Sequence, residues 1–156
     1  MDWSVAVVAD IALSVLNKLK KKAQETGKSY QLCLQLFCQE ELLRRIAQSR
    51  YTDNLILKGG LFIYYLTGFE SRPTVDVDFL LCHQDNAIAE IDRMIKRIIE
   101  TDTGNDFVTF EVKKGEPIAQ HREYNGVRIQ LIGKIKIRGL LLMWTSGLAM
   151  WLYQNL

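Results

Sequence analysis

The chain has 156 residues, of which 48% are hydrophobic and 24% charged, and its formal net charge is +2. This length and composition predict a single modest domain with its own core. The near-neutral charge excludes a strongly basic nucleic-acid-binding protein. A local basic run is interpreted as a solvated helix end, and its members are Lys18, Lys20, Lys21 and Lys22.

The cysteines and the first residues indicate the compartment. Cys33, Cys38 and Cys82 are odd in number and lack metal-ligand spacing, so we expect free thiols in a reducing cytoplasm. The first segment carries Asp2 and Asp10 and has no small-residue cleavage site after a basic start. We therefore expect no signal peptide.

Two helices are predicted in the first 50 residues. The first, over residues 5–22, has an apolar stripe at helical spacing that consists of Val8, Ile11, Val15 and Leu19. The second, over residues 31–48, is expected to direct three apolar residues inward: Leu36, Leu43 and Ile46.

A short strand is predicted over residues 54–57, followed by Gly59 and Gly60 and by a short helix over residues 61–66 that ends near Gly68. One turn after the glycines, Tyr64 and Tyr65 are interpreted as one core residue and one surface residue, with base stacking as the alternative.

The second half of the chain adds strands and one clear helix. A strand is predicted over residues 75–81, a helix over 86–100, and two alternating strands over 107–113 and 127–136. The helix places five isoleucines on one face: Ile88, Ile91, Ile95, Ile98 and Ile99. We therefore predict an α/β (α+β) fold, a small mixed β-sheet flanked by helices.

Two carboxylates stand out on the strand over residues 75–81. Successive side chains of a strand point to opposite faces, so Asp76 and Asp78 should project the same way, about 7 Å apart. Paired carboxylates can bind hard cations such as Mg²⁺. Taken alone, an Asp-x-Asp pair is more often a solvated strand end.

The glycine pair suggests an anion site. Gly59 and Gly60 would let the backbone approach a phosphate, and the helix after them would direct free N–H groups and its positive dipole end at that anion. Two glycines alone more often form a simple turn. Followed by Asp-x-Asp on a strand, they suggest a triphosphate bound over magnesium.

The spacing of Lys58-Gly59-Gly60-Leu61-Phe62 and of the segment Arg72-Pro73-Thr74-Val75-Asp76-Val77-Asp78 resembles the AbiEii/AbiGii toxin family. These are nucleotidyltransferases of the DNA polymerase β superfamily, found in bacterial type IV toxin–antitoxin and abortive-infection (phage-defence) systems. The resemblance extends from the first helix to about Lys136. It includes Tyr124-Asn125-Gly126-Val127-Arg128, which resembles the start of the strand before the family's third acidic position.

The resemblance implies a nucleotidyltransferase fold and roles for seven residues. Asp76 and Asp78 would be catalytic and bind Mg²⁺ at a two-metal site. The nucleotide would contact Lys58, Gly59, Gly60, Arg72 and Thr74. In the family a Ser or Thr can follow the glycines, but here Leu61 does. The phosphate contacts are therefore left to backbone N–H groups and Lys58.

The tail over residues 137–156 differs from the rest. It has no acidic residue, one charge at Arg138, and two tryptophans, Trp144 and Trp151. A membrane segment and an apolar core helix are possible interpretations, but the apolar stretch is shorter than a spanning helix needs. We expect no membrane association.

A third interpretation is an altered reading frame. Because Met and Trp each have one codon, the codons of Met143, Trp144 and Thr145 contain Val-Asp in another frame. With ordinary codons, that frame alternates like a strand and resembles the family's third acidic strand. One base lost at Lys136 would produce the printed tail.

We therefore predict a nucleotidyltransferase-like domain over residues 1–136, with N-terminal helices 1–50 and a core over 51–136. The fold would be incomplete at its C-terminus, with an out-of-frame tail over 137–156. The resemblance implies a cytoplasmic toxin that transfers a nucleotide from an NTP to an RNA, such as tRNA, or to a protein, and that binds a cognate antitoxin. Without a third carboxylate, activity would be impaired. The alternative is an inactive binding module for nucleotide or antitoxin.

Overall fold

The computed structural model describes residues 3–85, 87–118, 126–137 and 140–152. Its elements in chain order are α1 (Trp3–Thr26), α2 (Tyr30–Gln48), β1 (Leu55–Lys58), α3 (Gly59–Leu66), β2 (Val77–Leu81), α4 (Ile88–Ile99), β3 (Val108–Ile118), β4 (Gly126–Ile137) and β5 (Leu140–Leu152). A short 3₁₀ helix, Thr52–Asn54, precedes β1. The predicted elements of residues 1–137 are therefore present, with bounds shifted by up to five residues.

The five strands form one mixed sheet in the order β1-β2-β5-β4-β3. β2 and β5 are parallel, and the other three neighbouring pairs are antiparallel. The predicted mixed α+β class is confirmed.

The helices α1, α2 and α4 pack on one face of this sheet. Alternate strand residues point into that core, among them Phe79 of β2, Ile129 of β4 and Met150 of β5. From α4, the buried side chains are Ile91, Met94, Ile95 and Ile98. The predicted isoleucine face is thus largely confirmed, although Ile88 is 38% exposed.

The predicted stripe of α1 is only partly buried. Ile11 is 50% exposed and Val8, Val15 and Leu19 are half-buried, whereas the buried positions of this helix include Ala12, Leu16 and Ala23. Ala12 and Leu16 pack with Leu34 of α2. Two of the covered residues are alanines, whose small side chains suit a close helix contact but add little to a hydrophobic pattern.

The tail adopts a strand, so its interpretation as an apolar core helix is wrong. β5 lies between β2 and β4, and Leu148, Ala149 and Met150 are buried. Strand formation here depends on long-range pairing with both neighbours, which a local pattern does not reveal. Among the described residues, no helix is long and apolar enough to span a membrane. The reading-frame hypothesis stays a prediction.

All three cysteines are free, as predicted. Cys33 and Cys38 are buried and Cys82 is half-buried. Burial, with a smaller effect of the nearby Glu41 carboxylate, raises the pKa of Cys38 to about 12. Cys38 therefore behaves as a small core residue rather than as a reactive thiol.

A buried arginine joins α2 to the far edge of the sheet. Arg45 Nε donates to Glu41 Oε1 at 3.1 Å, and Arg45 Nη2 donates to the Val108 carbonyl at 2.7 Å. The guanidinium also donates to the Ile99 carbonyl at the end of α4. Because Glu41 is buried, removing Arg45 would leave its carboxylate without its closest cation.

We expect Arg45→Met to lower the free energy of unfolding by about 3–5 kcal/mol, because it leaves the Glu41 carboxylate buried without its main cation. Arg93→Met is the matched control, since the Arg93 side chain is 63% exposed, pairs with the exposed Glu90 and should contribute about 1 kcal/mol or less. Urea unfolding of both variants tests this, and equal losses would contradict it.

Candidate active site

The junction between β1 and α3 forms one wall of the site. Lys58 is extended and precedes the helix, and Gly59 begins the helix at φ +71°, in the left-handed region. A glycine adopts this conformation without steric cost, so the chain can turn directly from strand to helix. The first N–H groups of α3 have no partner within the helix and can donate to an anion.

Asp78 of β2 fills the space beside that junction. Its Oδ2 lies 2.5 Å from the point that a β-carbon of residue 59 would occupy. Asp78 also pairs in register with Lys58 across the β1–β2 ladder. The predicted phosphate cradle and one predicted metal ligand are thus in direct contact.

Asp76 lies one residue before β2, not on the strand as predicted. Its Oδ1 accepts a hydrogen bond from the Gly147 backbone N–H of β5 at 3.1 Å. A β-carbon at residue 147 would lie 2.8 Å from the same oxygen. The absence of a side chain on β5 therefore lets Asp76 approach that strand and remain exposed at the site.

The segment before Asp76 is held by α2. Gln35 Nε2 donates to the Thr74 carbonyl at 2.6 Å, and Gln39 Nε2 donates to the Thr74 and Val75 carbonyls at 3.1 and 3.2 Å. Both glutamines are buried. Sequence analysis missed them, although two amides spaced four apart in an apolar helix are the signal that could have found them.

Thr74 packs against the glycine pair. Its Cβ lies 3.2 Å from the point that a β-carbon of Gly60 would occupy, and its Oγ1 donates to the Asp76 carbonyl at 3.3 Å. Thr74 therefore contacts both the cradle and the carboxylate segment. Leu61, which follows the glycines, is fully buried in the core and faces away from the site.

The two predicted cations differ in position. Lys58 pairs in register with Asp78, and its Nζ lies 5.1 Å from the ring centroid of Trp151 on β5. Arg72 is exposed and has no hydrogen bond or ion pair with the described part of the chain. The structure thus brings Lys58 to the site, while Arg72 lies on the adjoining loop.

A row of paired residues crosses the sheet face that carries the carboxylates. In order from β1 to β3, it consists of Lys58, Asp78, Ala149, Arg128 and Glu116. Directly paired residues share a face and neighbouring strands lie about 4.8 Å apart, so Lys58 and Arg128 stand on either side of Asp78. Arg128 was not predicted as a site residue.

The third acidic position that the resemblance implies has no counterpart on β5, the strand next to β2. Beside Asp76 and Asp78, β5 presents Gly147 and Ala149. Within the described residues, no group of three acidic, His or Cys side chains could hold a metal. Of the strand start named in the resemblance, Tyr124 and Asn125 lie outside the described residues.

The donor set nevertheless suits Mg²⁺. Asp76 is exposed and Asp78 half-exposed, and the two aspartates are two residues apart beside β5. Mg²⁺ is commonly bound by one or two carboxylates, with substrate phosphates and water completing its shell. The cradle at Gly59 would present such phosphates beside Asp78.

Comparison with known protein families gives one match, described as the nucleotidyl transferase AbiEii toxin of a type IV toxin–antitoxin system. It covers residues 41–142, more than half of the chain. The chain belongs to this family. The AbiEii match includes all seven predicted site residues, begins inside α2 and ends inside β5.

Among solved structures, a protein from H. pylori provisionally described as a nucleotidyltransferase is similar, with 13% identity and a TM-score of 0.44. The alignment covers 78% of this chain and 45% of that protein, so the chain spans less than half of that protein's length. Comparison with curated proteins gave no match.

The contact between residue 59 and Asp78 can be tested with a pair of alanine variants. Gly27 and Gly59 have similar φ values, +69° and +71°, but a β-carbon at Gly27 would meet no atom within 4 Å. We expect Gly27→Ala to lower the free energy of unfolding by about 1–2 kcal/mol, the cost of the left-handed backbone. Gly59→Ala should cost about 1–2 kcal/mol more, because it also displaces the carboxylate. Equal losses in urea unfolding would contradict the contact.

Proposed function

We propose that this chain carries the Mg²⁺-dependent nucleotidyltransferase site of an AbiEii toxin, which transfers a nucleotide from an NTP to an acceptor hydroxyl. The observation that carries the proposal is the contact between Asp78 and Gly59. It puts a metal-ligating carboxylate beside a helix start that can bind phosphate. Family membership supports the reaction class.

The triphosphate would bind along the β1–α3 junction. The N–H groups of Gly59 and Gly60 and the positive end of the α3 dipole favour its negative charge. Lys58 would neutralise charge from the β1 side, and Thr74 would orient a phosphate oxygen next to Gly60. Arg72, exposed on the adjoining loop, would close on the phosphates from solvent.

Asp76 and Asp78 would bind Mg²⁺, which supplies charge neutralisation on the triphosphate during an in-line displacement. The acceptor oxygen forms a bond to the α-phosphorus as the bond from that phosphorus to the β-phosphate oxygen breaks. Pyrophosphate leaves, and the hydroxyl proton passes to solvent, to which Asp76 is exposed. The Gly147 N–H keeps the Asp76 carboxylate oriented during this step.

Family membership supports a proposal for the partner, and the acceptor is proposed from the resemblance. We propose an RNA acceptor, with a tRNA-like end as the first candidate and a protein hydroxyl as the second. We further propose a cognate antitoxin as the partner in a cytoplasmic phage-defence system.

A second function is favoured by one observation. Because Gly147 and Ala149 stand where the sheet could carry a third carboxylate, the printed chain has fewer metal ligands than the family pattern implies. A chain that binds nucleotide or antitoxin without catalysis is the alternative. The two functions differ in whether label from an NTP becomes covalently attached.

We expect Asp76→Asn and Asp78→Asn each to reduce transfer of α-labelled nucleotide into bacterial RNA by about 100-fold or more, because each removes a charged metal ligand at nearly constant shape. EDTA should have the same effect. The control is Asp53→Asn, an exposed aspartate in the 3₁₀ helix before β1. Transfer that survives both site variants would contradict the proposal.

The reading-frame proposal predicts a gain of activity. In the restored frame an aspartate falls at position 145, which by strand alternation shares the face of Gly147. We expect the restored chain to transfer label faster than the printed chain, and Asp76→Asn to abolish the gain. Equal rates, or genomic DNA that reads uninterrupted through Met143 and Trp144 in a selected gene, would contradict it.

A further inference from the structure

A second concave site lies at the other end of α3. It is a cavity of about 540 Å³ between α1, α2 and the turn that follows α3. Its volume is within the range of small-ligand sites. Aromatic rings form much of its wall, contributed by Phe37, Tyr64, Tyr65 and Phe69.

Phe69 is held in a costly conformation at this cavity. Its φ is +70°, which a residue with a β-carbon rarely adopts, and its side chain is still 42% exposed. Its ring packs edge-on against Tyr64 and Tyr65, with centroids 5.2 and 5.4 Å away. Strain that keeps an aromatic ring half in solvent indicates a role beyond core packing.

The two tyrosines at the cavity differ in exposure. Tyr64 is fully buried, so it supports the Phe69 ring from within the core. Tyr65 is half-buried at the cavity wall. Burial, with smaller effects of Glu40 and Tyr64, raises the pKa of Tyr65, so its phenol stays a neutral donor at physiological pH.

Two lysines give the cavity its cationic side. Lys28 Nζ lies 5.8 Å from the Tyr64 ring centroid and donates to the Phe69 carbonyl at 3.3 Å. Lys22 of α1 lines the same cavity, and neither lysine is in an ion pair within the described residues. Rings that can stack on a base, beside cations that can meet a phosphate, are the features that bind single-stranded nucleic acid.

The position of these lysines distinguishes a site for the acceptor nucleotide from the proposed site for the NTP. The proposed triphosphate site is at the N-terminal end of α3, whereas the cavity is at its C-terminal end, about 9 Å along the helix. A phosphate bound by Lys22 and Lys28 would therefore belong to a second nucleotide. Glu40 and Glu70, also in the wall, can accept hydrogen bonds from base amino groups.

The helix α2 contacts both the cavity and the segment that carries the carboxylates. One side of α2 lines the cavity through Leu36 and Phe37, while Gln35 and Gln39 of the same helix hold the segment before Asp76. The end of a nucleic-acid strand bound in the cavity would thus be held at a fixed position relative to the carboxylates.

We propose that this cavity binds a nucleotide of a single-stranded RNA acceptor, with the base against Phe69 and Tyr65 and its phosphate at Lys22 and Lys28. The proposal rests on the proposed transferase function and assigns its acceptor site. Of the two tyrosines, Tyr64 is the predicted core residue, and only the half-buried Tyr65 can take part in the alternative interpretation, base stacking.

The test measures binding rather than transfer. A 5′-fluorescein-labelled, single-stranded RNA of eight nucleotides is titrated with the full chain by fluorescence anisotropy, and Mg²⁺–NTP binding is measured on the same samples by calorimetry. Phe69→Gly removes the ring and relieves the left-handed strain, so it should fold. Phe62→Ala is the matched control, because Phe62 is 43% exposed on α3 and is not among the residues that line the cavity.

We expect Phe69→Gly to weaken RNA binding about tenfold, the size of one lost base–aromatic stack, and to leave NTP binding unchanged. Lys22→Ala should lower the salt dependence of RNA binding by about one counterion, whereas Lys113→Ala on β3 should not. Phe62→Ala should change RNA affinity less than twofold.

Three results would overturn the proposal: RNA affinity unchanged in Phe69→Gly, loss of NTP affinity alone, or absence of RNA binding by the unaltered chain. An antitoxin interaction that Phe69→Gly weakens while RNA binding stays constant would also overturn it, in favour of a peptide site. Asp76→Asn reports separately on the transferase proposal, since it should abolish transfer and leave RNA binding unchanged.

Discussion

Residue 59 has no side chain, and the carboxylate of Asp78 occupies the space that a β-carbon would fill. This contact sets how closely β2 can approach the start of α3. It also puts a carboxylate beside the N–H groups and positive dipole end of a helix, which by themselves attract an anion. A phosphate and a carboxylate brought this close repel each other unless a cation lies between them, so the geometry favours a metal-bridged phosphate.

The sheet turns this contact into a site with two carboxylates. β5 lies next to β2 and supplies the Gly147 N–H to Asp76, and the same strand separates Asp78 from Arg128 by one residue, Ala149. β5 therefore orients the Asp76 carboxylate and sets the spacing between Asp78 and Arg128. On the opposite face, Leu148 and Met150 of the same strand are buried in the core.

The glycine turn and the pair of aspartates could be predicted from the sequence. Glycine allows a tight turn, and residues two apart in an extended chain point the same way. Features set by tertiary contacts could not be predicted. The position of Asp76 just before β2, its bond to Gly147 and the support from Gln35 all join segments distant in sequence. The buried face of α1 was predicted only in part for a related reason, since one residue at its helix contact is an alanine.

The structure of the C-terminal tail also could not be predicted from its local sequence pattern. Residues 137–156 lack clear alternation and contain few charges, so pattern alone does not distinguish a strand from a helix or an altered frame. Pairing with β2 and β4 makes Leu140–Leu152 a central strand. That assignment describes the printed residues, and the origin of those residues in the gene is a separate question for nucleotide sequencing.

The central claim is that Asp76, Asp78 and the β1–α3 junction form one metal–triphosphate site. A crystal structure with Mn²⁺ and an α,β-methylene NTP tests it most directly, because anomalous scattering locates the metal. We predict a metal ion bound by Asp76 and Asp78, with a phosphate that accepts hydrogen bonds from the N–H groups of Gly59 and Gly60. Triphosphate bound elsewhere, or metal bound away from both carboxylates, would contradict the account.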